Sequence, residues 1–112
     1  MGSKPVLAFF FLAVAFISAA PSLSAQESAA VKRGEALLSR NCARCHAIGR
    51  TGTSPHAQAP LFRQLSRKYP IEGLAESLAE GISVGHADMP EFVFEANDVA
   101  AILAYLDSIQ ER

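Results

Sequence analysis

The stretch "NCARCHAIG", residues 41–49, contains the only two cysteines of the 112-residue chain. Cys42 and Cys45 are three positions apart, and His46 follows the second cysteine directly. Four kinds of site bring two cysteines this close together: a covalent attachment point, a redox-active dithiol, half of a metal site, or an ordinary disulfide. The choice among them decides the fold and most of the function.

The spacing of the two cysteines favours haem attachment. In a helical turn, positions i and i+3 point the same way, with their Cβ atoms about 5–6 Å apart. Two thiols so placed can add to the two vinyl groups on one edge of a haem, and the histidine that follows can bind the iron. The Cys-x-x-Cys-His pattern therefore indicates a c-type haem site.

The other three kinds of site fit the chain less well. A thioredoxin-like dithiol lies at the start of a helix that follows a strand, and no segment of this sequence alternates convincingly with period two. Structural zinc takes four ligands, usually from two cysteine pairs, and this chain has one pair. A disulfide suits an exported protein, but it leaves His46 without a role.

The N-terminus has the layout of a secretory signal. Lys4 precedes an apolar segment, residues 6–17, and a stretch of small residues follows it. We expect cleavage after Ala25, with a cut after Ser24 as the alternative. An uncleaved membrane anchor is less favoured, because twelve helical residues extend only ~18 Å across a hydrocarbon layer of ~30 Å.

Cleavage divides the chain into a signal peptide, residues 1–25, and one mature domain, residues 26–112, which we expect in the periplasm. A domain this small buries little apolar surface and commonly needs a disulfide, a metal or another internal cross-link for stability. A bulky apolar cofactor at its centre supplies that better than a single disulfide.

The charges of the mature domain are unevenly distributed. Residues 26–70 carry eight Lys or Arg and two Glu, a balance of +6, whereas residues 71–112 carry one Arg and nine Asp or Glu, a balance of −8. Either the two halves pair their charges at the surface, or the polarity orients the protein toward a partner. The sequence has no run of basic residues with interleaved aromatic residues, which is the pattern that would indicate nucleic acid as that partner.

Hydrophobic periodicity predicts an all-α domain of three or four short helices joined by long loops. The helical segments are residues 28–41, 60–69, 71–82 and 97–110. Ser28 and Asn97 are the expected N-caps of the first and last helices. The loops between the helices contain His46 and Met89, and loops this long in a small domain indicate that something holds them from inside.

The haem motif near the mature N-terminus, a Met–Pro pair at residues 89–90 and a final apolar helix resemble a class I c-type cytochrome, of the small monohaem bacterial kind. The resemblance covers essentially the whole mature chain. It implies a cytochrome c fold, in which short helices and long loops wrap around one covalently bound haem c. It also implies an exported apoprotein, in agreement with the signal sequence.

The resemblance assigns a role to each residue of the motif. Cys42 and Cys45 form the thioethers to the haem, and His46 is the proximal iron ligand. Pro60, in "AQAPLF", is similar to the proline whose carbonyl accepts the Nδ1–H of that histidine. Such a bond orients the ring and strengthens its donation to the metal.

Other residues match the scaffold of this family. Gly34 is similar to the small residue that lets the first and last helices cross closely, and Tyr105 to the aromatic that packs against the crossing. Leu38 stands where many members have an aromatic residue, so we expect a smaller packing contact at this position. The sequence has no tryptophan to bind a haem propionate, and the candidate substitutes are Tyr69, Arg50 and Arg63.

Met89 is the expected sixth ligand of the iron. A thioether is a soft donor, and a His/Met pair raises the reduction potential relative to harder ligation. Pro90 restricts the backbone next to it. His86 is the alternative ligand, which we expect instead at the surface, and we expect His56 to be solvated.

These features predict a periplasmic one-electron carrier rather than an enzyme, because an iron with six protein and porphyrin ligands has no open position for a substrate. Its expected partners are redox proteins, including membrane respiratory complexes, and we expect a monomer. One alternative is a cytochrome subunit of a larger dehydrogenase or oxidase complex. A second is a haem peroxidase, with His86 as its distal group, which rapid cyanide or CO binding would indicate.

Overall fold

The structure, a computed structural model, describes residues 1–5, 18–81 and 87–112. These residues form three α-helices and two 3₁₀ helices, and none of them lies in a strand. The chain order is α1 (Leu23–Asn41), a first 3₁₀ helix (Phe62–Arg67), a second 3₁₀ helix (Ile71–Leu74), α2 (Ala75–Glu80) and α3 (Ala96–Ile109). The all-α prediction is confirmed, and so are the long loops before the first 3₁₀ helix and before α3.

Both predicted N-caps are wrong. The cap of α1 is Ser22, six residues before Ser28, because the intervening sequence "LSAQE" contains no residue that breaks a helix. This first part of α1 is exposed, with Leu23 at 85%, so local propensity rather than packing extends the helix. The cap of α3 is Glu95, which places Asn97 inside the first turn.

The crossing of α1 and α3 is the largest helix–helix contact of the fold. A Cβ atom added at Gly34 would lie 2.0 Å from the Ala101 carbonyl oxygen and 2.8 Å from the Tyr105 Cβ. Only glycine permits so close an approach, and the predicted crossing at Gly34 and Tyr105 is confirmed. The Arg33 Nε donates to Asp98 Oδ1 at 2.8 Å on the exposed side of the same crossing.

The core lies between α1, α3 and the short helices. Leu38 and Ile102 are its least exposed side chains, at 2% and 0%. Leu38 is therefore well packed although it is smaller than an aromatic residue. The remaining members of the buried cluster are Leu37, Leu65, Ile71, Leu78, Val99, Ala101, Tyr105, Leu106 and Ile109.

The C-terminus fastens the first 3₁₀ helix to the end of α3. Gln110 Nε2 donates to the Phe62 carbonyl oxygen at 2.8 Å, and Gln110 Oε1 accepts from the Ser66 backbone N–H at 2.8 Å. The Glu111 carboxylate accepts from Arg63, at 2.9 Å, and from Arg67, at 2.8 Å. These bonds add to the burial of Leu65 in holding the first 3₁₀ helix in place.

In the part of the chain that the structure describes, no helix has both the length and the apolar character needed to cross a membrane. The apolar core of the predicted signal, residues 6–17, lies outside the described residues. Residues 82–86, which include His86, also lie outside them.

Candidate functional site

A cavity of about 890 Å³ opens between the end of α1, the short helices, α3 and the loop before α3. Its volume lies in the upper part of the range of small-molecule and cofactor sites, roughly 300–1,000 Å³. Its walls are mainly apolar. The apolar side chains that line it include Leu38, Phe62, Leu65, Leu74, Leu78, Met89, Phe92, Phe94, Ile102 and Leu106.

The Cys-x-x-Cys-His motif forms a tight turn at the C-terminal end of α1. The Cys45 and His46 backbone N–H groups both bond to the Cys42 carbonyl oxygen, at 3.1 and 2.9 Å. The turn keeps the helical spacing of the two cysteines, and all three residues of the motif line the cavity. Both cysteines are half-buried, and neither is in a disulfide.

The environment of Cys42 makes it a poor redox thiol. Burial, and after it the neighbouring Cys45, raises the pKa of the Cys42 thiol to about 11. The thiolate is the nucleophile of a reactive dithiol, so Cys42 is not suited to be the attacking thiol of such a pair. None of the described residues before the motif lies in a strand, which weighs against the thioredoxin-like alternative.

His46 is oriented by two neighbours. Its Nδ1 lies 2.8 Å from the Pro60 carbonyl oxygen, which is the contact implied by the family resemblance. A carbonyl only accepts, so Nδ1 carries the proton and the lone pair is on Nε2. The Phe62 ring lies 4.6 Å from the imidazole, between centroids. The contact thus holds the neutral ring in the tautomer that leaves Nε2 able to bind a metal.

Met89 lies in the loop before α3, half-buried, and lines the same cavity as the motif. Two features mark the base of this loop. Gly81 ends α2 with φ +110°, and an added Cβ there would lie 2.4 Å from the Glu91 Oε1. The Phe94 backbone N–H donates to the Leu78 carbonyl oxygen at 2.9 Å. Met89 is therefore brought to the cavity from a loop anchored at both ends on α2.

Phe92 and Phe94 are cavity residues that the sequence analysis missed. Their ring centroids are 6.1 Å apart, and both line the cavity, whereas Val93 between them is 67% exposed. The alternation in "EFVFE" could have indicated this position, because alternate side chains of an extended segment lie on the same side.

The expectation that His56 is solvated is wrong. Its side chain lines the cavity and is 33% exposed. Nε2 lies 3.3 Å from Asp88 Oδ2, and Nδ1 accepts from the Gln58 backbone N–H at 3.2 Å. The two residues come from separate loops, and no short-range sequence pattern links positions so far apart.

Two of the three candidate propionate residues bind elsewhere. The Arg50 guanidinium donates to the Ser108 carbonyl oxygen, and Arg63 is paired with Glu111. Tyr69 does line the cavity and is 41% exposed. Three exposed basic side chains that the sequence analysis did not single out also line it, namely Arg40, Arg44 and Lys68.

The residues present fit a haem c. The cavity is large and apolar, as a flat porphyrin requires, and has two adjacent thiols on its wall. The His46 imidazole and the Met89 thioether line the same space. Exposed cationic groups at Arg40, Arg44 and Lys68 are suited to carboxylates at the edge of a macrocycle.

A family model described as "Cytochrome C oxidase, cbb3-type, subunit III" matches residues 29–106, well over half of the chain. The matched segment begins in α1, ends in α3 and includes every residue that lines the cavity. No similar curated protein and no similar solved structure was found.

Proposed function

We propose, from the premise that the chain belongs to the family of cytochrome c oxidase, cbb3-type, subunit III, that it is an exported one-electron carrier with His/Met ligation. Membership makes the chain a c-type cytochrome domain, whose activity is haem-based electron transfer and whose cofactor is covalently bound haem c. The predictions of a c-type cytochrome and of haem c are thereby confirmed. The exported location, the ligand set and the partners are the proposal.

The attachment motif carries the proposal. Cys42 and Cys45 are the residues that would form the thioethers, and the turn that joins them leaves both facing the cavity. When bound, haem c supplies an iron that takes up and releases one electron at a time. The chain's own contribution is to hold that group in an apolar site that restricts water.

His46 would be the proximal ligand. The bond from Nδ1–H to the Pro60 carbonyl fixes the tautomer, limits rotation of the ring and makes Nε2 a stronger donor. Phe62, packed against the imidazole, restricts the ring from another direction. Together these two contacts hold the imidazole in one orientation.

Met89 would be the sixth ligand. Its thioether is a soft donor that favours ferrous iron and a high potential, and the anchored loop brings it to the cavity. If His46 and Met89 both bound the metal, no position would remain for a substrate. This supports an electron-transfer protein and not a peroxidase.

The partners would be redox proteins that meet the cavity rim. Arg40, Arg44 and Lys68 are exposed there, so an acidic patch on the partner is the complementary surface. Electron-transfer complexes of this kind are small and short-lived. The family description supports a second candidate, in which the chain is a subunit of an oxidase complex.

The decisive experiment uses the purified holoprotein. An alkaline pyridine spectrum should show covalently attached haem, and Met89→Ala should abolish the weak charge-transfer band near the red end of the ferric spectrum. Val93→Ala, an exposed position in the same loop, is the matched control and should keep the band. If Met89→Ala keeps it as well, another residue binds the metal, and His86→Ala identifies or excludes the alternative histidine.

Fractionation of cells separates the carrier from the subunit. A free carrier should leave with the periplasmic fraction and elute as a monomer, with an intact mass that corresponds to cleavage after Ala25 or Ser24. Elution with a large membrane complex would contradict the free carrier and favour the oxidase subunit.

A further inference from the structure

We infer that His56 and Asp88 form a clip that positions the Met89 loop against the haem attachment motif. The inference rests on the proposed ligation by Met89 and goes beyond it, since it assigns a role to two residues outside the ligand set. Both line the cavity together with the motif. Their hydrogen bond is the direct side-chain link that the described residues show between the two loops.

One end of the clip is fixed to the attachment motif. The His56 backbone N–H donates to the Cys45 carbonyl oxygen at 3.1 Å, and the His56 carbonyl accepts from the Ala59 N–H at 3.0 Å. The first bond joins His56 directly to one of the two residues expected to hold the haem. His56 therefore keeps its place relative to the motif.

The His56 ring donates a hydrogen bond to Asp88. Because Nδ1 accepts from the Gln58 N–H, the neutral ring carries its proton on Nε2. Nε2 lies 3.3 Å from Asp88 Oδ2, so the ring donates to a carboxylate. The His56 side chain is 33% exposed and the Asp88 side chain 76%, so the bond is partly open to water.

The other end of the clip is the residue next to Met89. Asp88 precedes it in the chain, and Pro90 follows it and restricts the backbone. The Asp88 side chain is 76% exposed and has little packing of its own. Its bond to His56 is thus the contact that ties this part of the loop to the segment bonded to the attachment motif.

Loss of the clip should free Met89 to leave the metal more often without removing it as a ligand. Because the bond is partly exposed, its loss should increase the rate at which an added ligand replaces Met89 by only about three- to tenfold. The equilibrium spectrum without added ligand should change little.

The test measures the rate at which imidazole replaces the native ligand in ferric holoprotein. His56→Ala and Asp88→Ala should each be faster than the unmodified protein, and the double variant should be no faster than either single variant. His56→Gln retains an N–H donor and should return the rate most of the way. Glu76→Gln, at an exposed position on α2, is the control and should not change the rate.

Each outcome decides the matter. Unchanged rates in both alanine variants, additive effects in the double variant, or a His56→Gln rate equal to that of His56→Ala would overturn the clip. If instead Met89→Ala leaves the ferric band and the imidazole rate unchanged, the ligation itself is wrong. That second failure is read from a different variant, so the two cannot be confused.

Discussion

The two sides of the cavity are built differently. The attachment side stands on the crossing of α1 and α3, where Gly34 meets the Ala101 backbone and Leu38 is almost fully buried. The Met89 side is a loop whose described residues are mostly exposed. It is joined to the rest of the chain by the Phe94 bond to α2 and by His56.

The difference separates the attachment site, whose geometry must be rigid, from the Met89 loop, whose ligation can vary. The covalent site depends on the relative position of two thiols and an imidazole, so it is placed at the end of a helix with a packed core behind it. The proposed sixth ligand is one thioether on a loop. Substitutions in that loop can change ligation, and therefore the potential, without disturbing the core. Three substitutions test this contrast, in order of decreasing expected effect.

Gly34→Ala should be the most destabilising change. The new methyl group would meet the Ala101 backbone, which cannot move unless α3 shifts away from α1. Overpacking of a core typically costs 1–3 kcal/mol, and a backbone clash belongs at the upper end, so we expect a loss of about 3 kcal/mol or more in the free energy of unfolding. Chemical denaturation of the holoprotein measures it.

Gly49→Ala is the matched control for that experiment. A Cβ atom at Gly49 would have open space around it, so the substitution should be neutral or slightly stabilising. Equal losses at both positions would show that the crossing is not the rigid element we describe. A loss at Gly34 alone would support it.

Gly81→Ala should weaken the Met89 side and leave the attachment side intact. Gly81 has φ +110°, a conformation that costs a residue with a side chain about 1–3 kcal/mol. We expect a smaller loss of stability than at Gly34, a weaker charge-transfer band and an unchanged content of covalent haem. Absorption spectra of the ferric and the alkaline pyridine forms give both readouts.

The double variant Gly81→Ala/Glu91→Ala separates strain from crowding. The atoms that an added Cβ would meet belong to the flexible Glu91 side chain, which can move aside. The double variant should therefore remain as impaired as Gly81→Ala. Full recovery would mean that crowding by Glu91, and not the backbone conformation, fixes the base of the loop.

The attachment side could be predicted for two reasons. The cysteine spacing and the apolar stripe of the last helix are local patterns, and the family resemblance supplied the long-range contacts of Gly34 and Pro60. The helix starts could not be placed in the same way. Ser22 and Ser28 are both suitable caps, and the residues between them favour helix, so competing local preferences decided the boundary.

The Met89 side was less predictable because its contacts join loops that are distant in sequence. His56 and Asp88 are 32 positions apart, and a histidine in a polar loop gives no sign of its partner. Arg50 and Arg63 were misjudged for a related reason. Their partners are a helix-end carbonyl and Glu111, which become neighbours only when α3 is in place.

Glu111→Gln should have the smallest effect, and one that depends on pH. The hydrogen bond from the Gln64 side chain, followed by Arg63 and Arg67, lowers the pKa of the Glu111 carboxyl. A lowered pKa in the folded state means that the charged group stabilises the fold above the ordinary glutamate pKa of about 4.3, and that this contribution is lost as the pH falls through the folded value.

The midpoint of thermal unfolding, measured between pH 7 and pH 3, shows this dependence. Glu111→Gln should be less stable than the unmodified protein at neutral pH, and the two curves should converge at the acidic end. The difference should be small, since the Glu111 side chain is 39% exposed and exposed pairs contribute little. Curves that stay parallel would mean that the Glu111 charge does not hold the first 3₁₀ helix behind His46. The attachment side would then depend on packing and on neutral bonds such as those of Gln110, which would sharpen its contrast with the Met89 loop.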